Sequence, residues 1–446
     1  MAAGVGAIAL SDVLRPITDA SDGMRVVEVA IFEGGYGIEW HREVAERFNA
    51  ENRDRSIRIE LWGDPRTATI IKPRLLRGDP PDLILDERLP LWLLIGAGKL
   101  RPFTDALAKP VDDGQVWSDG FAAGMLDTYR SDGEVYAVPA AYGAWACWYN
   151  AELFREQGWA TPKTWDEFLE LCAEIKRAGI APIALQGKYA SFYAWNTYIT
   201  LVQRYAGLEA INRINALEPG AFSNPKVLEA TALFQELVAE YYQPGAMAMT
   251  HTESQLEFVN GNAAMIFCGI WLENEMKANI PPGFELRAFN IPGNPEWAGN
   301  DALVQGQGME FLFVPTDAQN PDVAFEFARY LVSQENARDM AESIGVISPL
   351  AGATPKGSVS PALESVLEII EDAPGIFNVR PSMIFPAWKS QVMNSAIQGL
   401  CNGTMTPEEF GLTLDEGIAQ SIESAEIEIP EAVLYDAAAL GEFDAE

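Results

Sequence analysis

The chain has 446 residues, with 31 basic against 64 acidic side chains and a formal charge of -33 at neutral pH. That length exceeds the roughly 250 to 300 residues at which a single hydrophobic core stops growing, so two lobes are expected. The charge argues against a nucleic acid or an anionic membrane surface as partner, and a charged fraction of 21% is that of an ordinary soluble acidic surface.

The apolar run from Ala2 to Leu10 is too short to span a bilayer and reads as the end of an export signal. The true start is expected upstream, adding a basic, twin-arginine segment, and residues 1–24 are set aside as signal remnant or disordered terminus. Val26 to Phe32 is apolar and β-branched, a buried strand that runs into Glu33-Gly34-Gly35-Tyr36-Gly37 and then an amphipathic helix bearing Ile38, Val44 and Phe48. Ile57, Ile59 and Leu61 alternate with Arg58 and Glu60 in a second strand, closed by a turn at Trp62-Gly63-Asp64-Pro65. Leu83 to Leu85 forms a third, ending at Asp86-Glu87. Strands alternating with helices predict parallel sheets, and ligands of open α/β sheets sit at the carboxyl ends of strands. The loops at Glu33, Trp62 and Asp86 are therefore expected to face one cleft.

Asp132-Gly133 supplies a tight turn that tolerates positive φ. Val135 to Val138 is strand-like, and Pro139 is expected to end its ladder and mark a lobe boundary. Thr164-Trp165-Asp166-Glu167 fits a capping box ahead of an apolar stripe of Phe168, Leu169, Cys172 and Ile175. Asn224-Pro225, Asn320-Pro321 and Thr406-Pro407 each pair a capping side chain with proline at the first helical position. Gly308 to Val314 reads as a further strand, and the acidic tail at 426–446 as a peripheral extension.

Little in the chain suits catalysis or metal binding. Cys147, Cys172, Cys268 and Cys401 lie far apart with no C-x-x-C pair, and only His41 and His251 are available to join them. No metal or other cofactor is expected. Paired carboxylates beside aromatics would suit a glycoside hydrolase, but the adjacent Asp86 and Glu87 diverge at a strand end, and no Ser-His-Asp set, phosphate loop or HExxH motif is present. An enzyme is not expected.

Several segments carry a resemblance: "YAVP" (136–139), "WYNAELFREQGW" (148–159), "PKTWDEF" (162–168), "RGDPPDLIL" (77–85), "GAGKLRPFTDAL" (96–107), "FVNGNAAMIFCGIW" (258–271) and "PAWKSQVMNSAIQGLCNGTMTPEEF" (386–410). In order and rough spacing they resemble the family 1 solute-binding proteins of ABC importers, including their maltose-binding branch. The resemblance implies an α/β, two-lobed periplasmic-binding-protein fold with a hinged interlobe cleft. Lobe one would comprise residues 25–139 and 303–365, and lobe two 140–302 and 366–425. It further implies an extracytoplasmic monomer that binds a small-molecule carbohydrate by hinge closure and delivers it to the transmembrane subunits of an ABC permease.

A sugar offers hydroxyls that reward carboxylates and amides, and ring faces that pack on flat aromatic rings. Trp271 and Trp388 occupy the places of sugar-stacking tryptophans in the maltose-binding branch, while Tyr193 and Trp195 match a region that supplies an aromatic platform. Tyr142 and Trp145 follow the crossover and are candidates for the hinge side. From lobe one, Glu33, Tyr36, Trp62, Asp64, Asp86 and Glu87 sit in the strand-end loops, with Gln307 on the return strand. Two non-sugar ligands stay open: ferric iron, for which Tyr241-Tyr242 would be a pair, and a polyamine, which acidic loops also suit.

Overall fold

The computed structural model describes residues 23–111, 114–425, 428–432 and 434–442. The export-signal expectation and part of the acidic tail lie outside the described residues. Twelve strands are present among the described residues: β1 (Arg25–Phe32), β2 (Ile57–Asp64), β3 (Leu83–Leu85), β4 (Leu100–Arg101), β5 (Arg130–Ser131), β6 (Glu134–Val135), β7 (Val138–Asn150), β8 (Ala181–Ala184), β9 (Ala263–Gly269), β10 (Leu286–Phe289), β11 (Val304–Pro315) and β12 (Ile376–Phe377). Ten of them join in one mixed sheet whose main path runs β2-β1-β3-β11-β7-β9-β8, and β5-β6 is a separate hairpin.

The sheet has two halves. In the first, β1 lies between β2 and β3 in parallel register, with Val27, Val29, Ala30, Ile31, Leu83 and Ile84 fully buried. Such continuous apolar strands belong to a parallel sheet covered on both faces. The helix Glu39–Glu51 buries Trp40, Val44 and Phe48, and Phe48 meets Phe327 and Tyr330 of the helix Pro321–Leu331 edge-on. In the second half, β9 lies between β7 and β8, with the helices Trp165–Arg177, Tyr193–Asn215, Pro225–Tyr241 and Pro407–Glu423 around it. The chain crosses between the halves on β7 and again on β11, which pair antiparallel from Val138 to Ala144. β11 then meets β3 at Leu312 and Phe313, while β7 meets β9 from Trp145 onward.

Several local expectations hold. Asp132 and Gly133, at φ 52° and 79°, turn the β5-β6 hairpin. The Thr164 hydroxyl accepts from the Glu167 amide at 3.2 Å, although the Glu167 carboxylate reaches back to the amide of Lys163 rather than that of the cap. A full capping box forms instead at Thr406 and Glu409.

Three expectations are corrected. Pro139 does not end its strand: β7 passes through it, and there the strand pairs only with β11, so a missing N–H is tolerated. β2 continues through Trp62 to Asp64, placing Trp62 within the strand. A lobe boundary at 365 would cut the helix Pro361–Asp372, which packs along β10 and accepts the Ala288 amide on Ser365 Oγ at 2.9 Å. The tail is docked where it is described. Tyr435 exchanges hydrogen bonds with Asn212 (2.7 and 2.8 Å), and the buried Glu442 carboxylate accepts from Gln203 at 2.7 Å and the Asn300 amide at 3.1 Å.

Candidate functional site

A cavity of about 260 Å³ lies between the lobes, where the carboxyl ends of β1 and β3 face the start of three second-lobe helices. Its floor is made by the crossing strands, through Gly143 to Trp145 of β7 and Gln305 to Gln307 of β11. The lobes also meet at its mouth. Asn274 Nδ2 donates to the Ile344 carbonyl at 2.7 Å, and a side chain on Gly35 would begin 3.0 Å from Glu275 Cγ.

One wall is aromatic. β9 ends at Gly269, and Trp271 folds back over it so closely that a Cβ there would lie 2.1 Å from Trp271 Cη2. The indole stacks on Phe192, with ring centroids 5.6 Å apart and planes 10° from parallel, and tilts against Trp145 at 6.2 Å. Trp145 rests edge-on against Tyr193 at 5.3 Å. The result is a platform of two half-buried rings, Trp271 and Phe192, backed by the buried Trp145 and Tyr193.

The facing groups are polar. Asn196 Oδ1 accepts from Gln305 Nε2 at 2.8 Å, Gln305 Oε1 accepts from the Thr200 hydroxyl at 2.6 Å, and Gln307 Oε1 accepts from Asn378 Nδ2. His251 Nε2 pairs with Glu275 Oε2, which also accepts from Gln255 at 2.6 Å. Asp86 is buried and held bidentately by Arg88 at 2.8 and 2.7 Å, and Arg88 lies over the Phe32 ring. Glu87 Oε2 accepts the Glu310 amide at 3.0 Å. Burial raises the pKa of Glu87, and burial together with the charge of Glu87 pushes Glu310 up to about 8. The Tyr36 phenol is held well above its usual range by burial and by Glu310 and Glu275.

Of the residues singled out from sequence, Tyr36, Asp86, Glu87, Trp145, Trp271 and Gln307 come together on this cavity. The others are elsewhere. Glu33 sits just past β1, off the wall. Trp62 donates to Glu28 Oε1 at 2.8 Å, in a cluster with Arg74, and Asp64 accepts the Arg66 amide and guanidinium as a turn former. Tyr142 is buried on the crossing strand, its amide bonded to the Ile347 carbonyl at 2.8 Å. Tyr193 lies beneath the platform, its hydroxyl between Cys268 Sγ and Gln255. Trp195 and Trp388 pack edge-on at 6.0 Å in the lobe-two core, and Trp388 donates to the Leu414 carbonyl at 3.3 Å. Trp388 is only 1% exposed and offers no face to the cleft.

Sequence reasoning missed Phe192, Asn196, His251, Glu275 and Glu310 as cavity residues. One was within reach: Glu275 follows Trp271 by four positions, the spacing that brings helical side chains to one face.

Two lobes joined by crossing strands, with a polar and aromatic cavity between them, define a solute-binding receptor. The chain belongs to the bacterial extracellular solute-binding protein family, whose description matches residues 43–365. It is 27% identical over 360 residues to a diacetylchitobiose-binding protein of Streptomyces coelicolor, covering 79% of this chain and 76% of that one. It is 25% identical over 300 residues to a multiple sugar-binding protein of Streptococcus mutans, covering 66% and 67%. A chitin oligosaccharide binding protein of known structure has the same fold, with a TM-score of 0.74 at 21% identity over 90% of this chain and all of that one.

Proposed function

We propose that the protein is the carbohydrate-binding component of an ABC importer, taking a sugar of one or a few rings and presenting it to the permease without altering it. The observation that carries this reading is the Trp271-Phe192 stack, which sets aromatic rings against hydrogen-bonding side chains inside the interlobe cavity. A sugar ring packs its CH face on such a platform, while its hydroxyls meet Asn196, Gln305, Gln307, Glu87 and Glu275. Ligand contacts both lobes, binds the closed state better and shifts the population toward it. A micromolar dissociation constant needs about 8 kcal/mol, which a few charged hydrogen bonds of about 1.5 to 3 kcal/mol each and one stacked ring can supply after closure is offset. On this reading the receptor acts outside the cytoplasmic membrane as a monomer, with the transmembrane permease subunits as its partner. On this reading lobe one comprises residues 25–139 and 303–360 and lobe two 140–302 and 361–425, the last boundary set ahead of the helix Pro361–Asp372 that packs along β10.

The test is a thermal-shift screen with mono-, di- and oligosaccharides, polyamines and ferric citrate, followed by calorimetry on hits, because a ligand that binds only the folded state raises the melting temperature. A saturable sugar hit that leaves the sugar chemically unchanged supports the proposal. A polyamine or ferric hit in the absence of any sugar hit overturns it, and release of a cleaved sugar points to an enzyme.

A further inference from the structure

The cavity carries a charge that a neutral sugar would leave uncompensated. Four carboxylates line it, from Asp86, Glu87, Glu275 and Glu310, and among the described lining residues there is neither lysine nor arginine. Two are partnered by the protein itself, Asp86 by Arg88 and Glu275 by His251 and Gln255. The other two are not. Glu87 accepts only the backbone amide of Glu310, and the Glu310 carboxylate has no hydrogen-bond or ion-pair partner among the described residues. Arg88 and Lys389 act on Glu87 from a distance, and neither pairs with it.

The backbone adds an independent sign. Glu310 has φ 53°, a left-handed conformation that a residue with a side chain adopts at a cost of order 1 kcal/mol. It sits in the middle of β11, where Met309 pairs with Ala141 and Phe311 with Pro139 on either side of it. This conformation gives the Glu310 amide to Glu87 and sets two carboxyl groups side by side at the lobe-one end of the cavity. Strain and a pair of carboxyl groups without a cationic partner are expected at one point where a ligand supplies the missing interaction.

Resting on the carbohydrate reading above, we propose that the solute is an amino sugar with a free amine, whose ammonium group lodges between Glu87 and Glu310 while its ring packs on Trp271. Protonated amine and carboxylates then form charge-assisted hydrogen bonds in a site shielded from water. The raised pKa of Glu310 is what such a site shows when the cation is absent, since burial and Glu87 both disfavour its charge.

The experiment is calorimetry at neutral pH on matched sets that differ at one substituent: glucose, galactose and mannose, their free 2-amino forms and their N-acetylated forms, as monosaccharides and as β-1,4-linked dimers, with spermidine alongside. The free amine is expected to bind about 10- to 100-fold tighter than its hydroxyl and N-acetyl counterparts. Glu310→Gln is expected to cut the ratio of amine to hydroxyl affinity at least about tenfold, whatever it does to the affinity for the neutral members; Glu87→Gln, read by the same ratio, provides the second variant if Glu310→Gln fails to fold by thermal unfolding. Binding of neutral or acetylated sugars as well as or better than the amines overturns the inference and leaves the carbohydrate reading standing. Spermidine binding without any sugar overturns both, and silence from every amine overturns the inference.

Discussion

Replacing Gly269 with alanine tests the platform without touching any group that would contact the ligand. The new Cβ would sit 2.1, 2.2 and 2.6 Å from Trp271 Cη2, Cζ3 and Cε3. Ordinary carbon contacts begin near roughly 3.5 Å, so the indole must swing by more than about 1 Å. Trp271 is partly exposed on the cavity whereas β9 is buried along its whole length, so the ring is expected to give way rather than the strand. The Trp271-Phe192 stack is lost, worth about 0.5 to 1.5 kcal/mol, together with a comparable contribution from the sugar face. Affinity is expected to fall about 5- to 140-fold, read by calorimetry on whichever sugar the screen identifies, with the melting temperature little changed. Trp271→Ala removes the clash and the platform together. The double variant should therefore bind like Trp271→Ala alone, within about 0.5 kcal/mol. Wild-type affinity in Gly269→Ala, or a further loss in the double variant, refutes the argument.

Gly35→Val places a branched side chain against Glu275 across the mouth; we expect weaker binding and a more open molecule by small-angle scattering, with unchanged unfolding. Trp388→Ala empties a core position between Trp195 and Phe222, so chemical denaturation should show a loss of about 3 to 5 kcal/mol, with the affinity of the folded protein kept. Burial pushes the His41 imidazole down to about 4, and neither ring nitrogen has a hydrogen-bond partner among the described residues. Because its folded pKa is depressed, the unfolded chain takes up the proton first. Stability is fully present above pH 6.5 and falls as pH drops toward 4, by about 1.4 kcal/mol per unit and about 3 kcal/mol in all. Urea midpoints for His41→Phe should fall less than those of the natural protein across that window; parallel curves would show that His41 is not the acid-labile group.

The first lobe was legible because its strands are short, apolar and bounded by glycine and proline; its helices Glu39–Glu51, Thr67–Arg77 and Pro321–Leu331 start without a side-chain cap. Those signals are local. The site was legible only where it coincides with strand ends, as at Tyr36, Asp86 and Glu87, or with a family motif, as at Trp271. Trp388 shows the limit. Its neighbours in sequence do not distinguish a platform from a core residue; what buries it is the distant helix Pro407–Glu423, where Gly417 leaves room for the indole, a Cβ there falling 2.8 Å from Trp388 Cδ1. Trp195, from another distant helix, closes the same nest. Glu310 carried no pattern at all, because a left-handed residue inside a strand follows no periodicity.

The hinge and the ligand floor are the same stretch of backbone, and this couples binding to closure. Where β7 and β11 cross, a Cβ on Gly143 would lie 2.2 Å from Met309 Sδ, one on Gly306 2.8 Å from the Gly143 carbonyl, and one on Gly308 2.6 Å from Pro139 Cβ. The strands approach this closely only because side chains are missing, and Gly143, Gly306, Gln307 and Met309 also line the cavity. Any rotation of the lobes about this crossing displaces those groups relative to Trp271 on one side and Glu87 on the other. A ligand bridging the platform and the strand-end carboxylates therefore makes its full set of contacts in one lobe arrangement only, and that differential contact is what shifts the population. Moving the closed fraction from 1:99 to 99:1 requires about 5.5 kcal/mol of preference for the closed state. Two charge-assisted hydrogen bonds and a stacked ring lie within that range, so on the proposed reading contacts at the Trp271 platform and the Glu87-Glu310 end would suffice without a separate closing device.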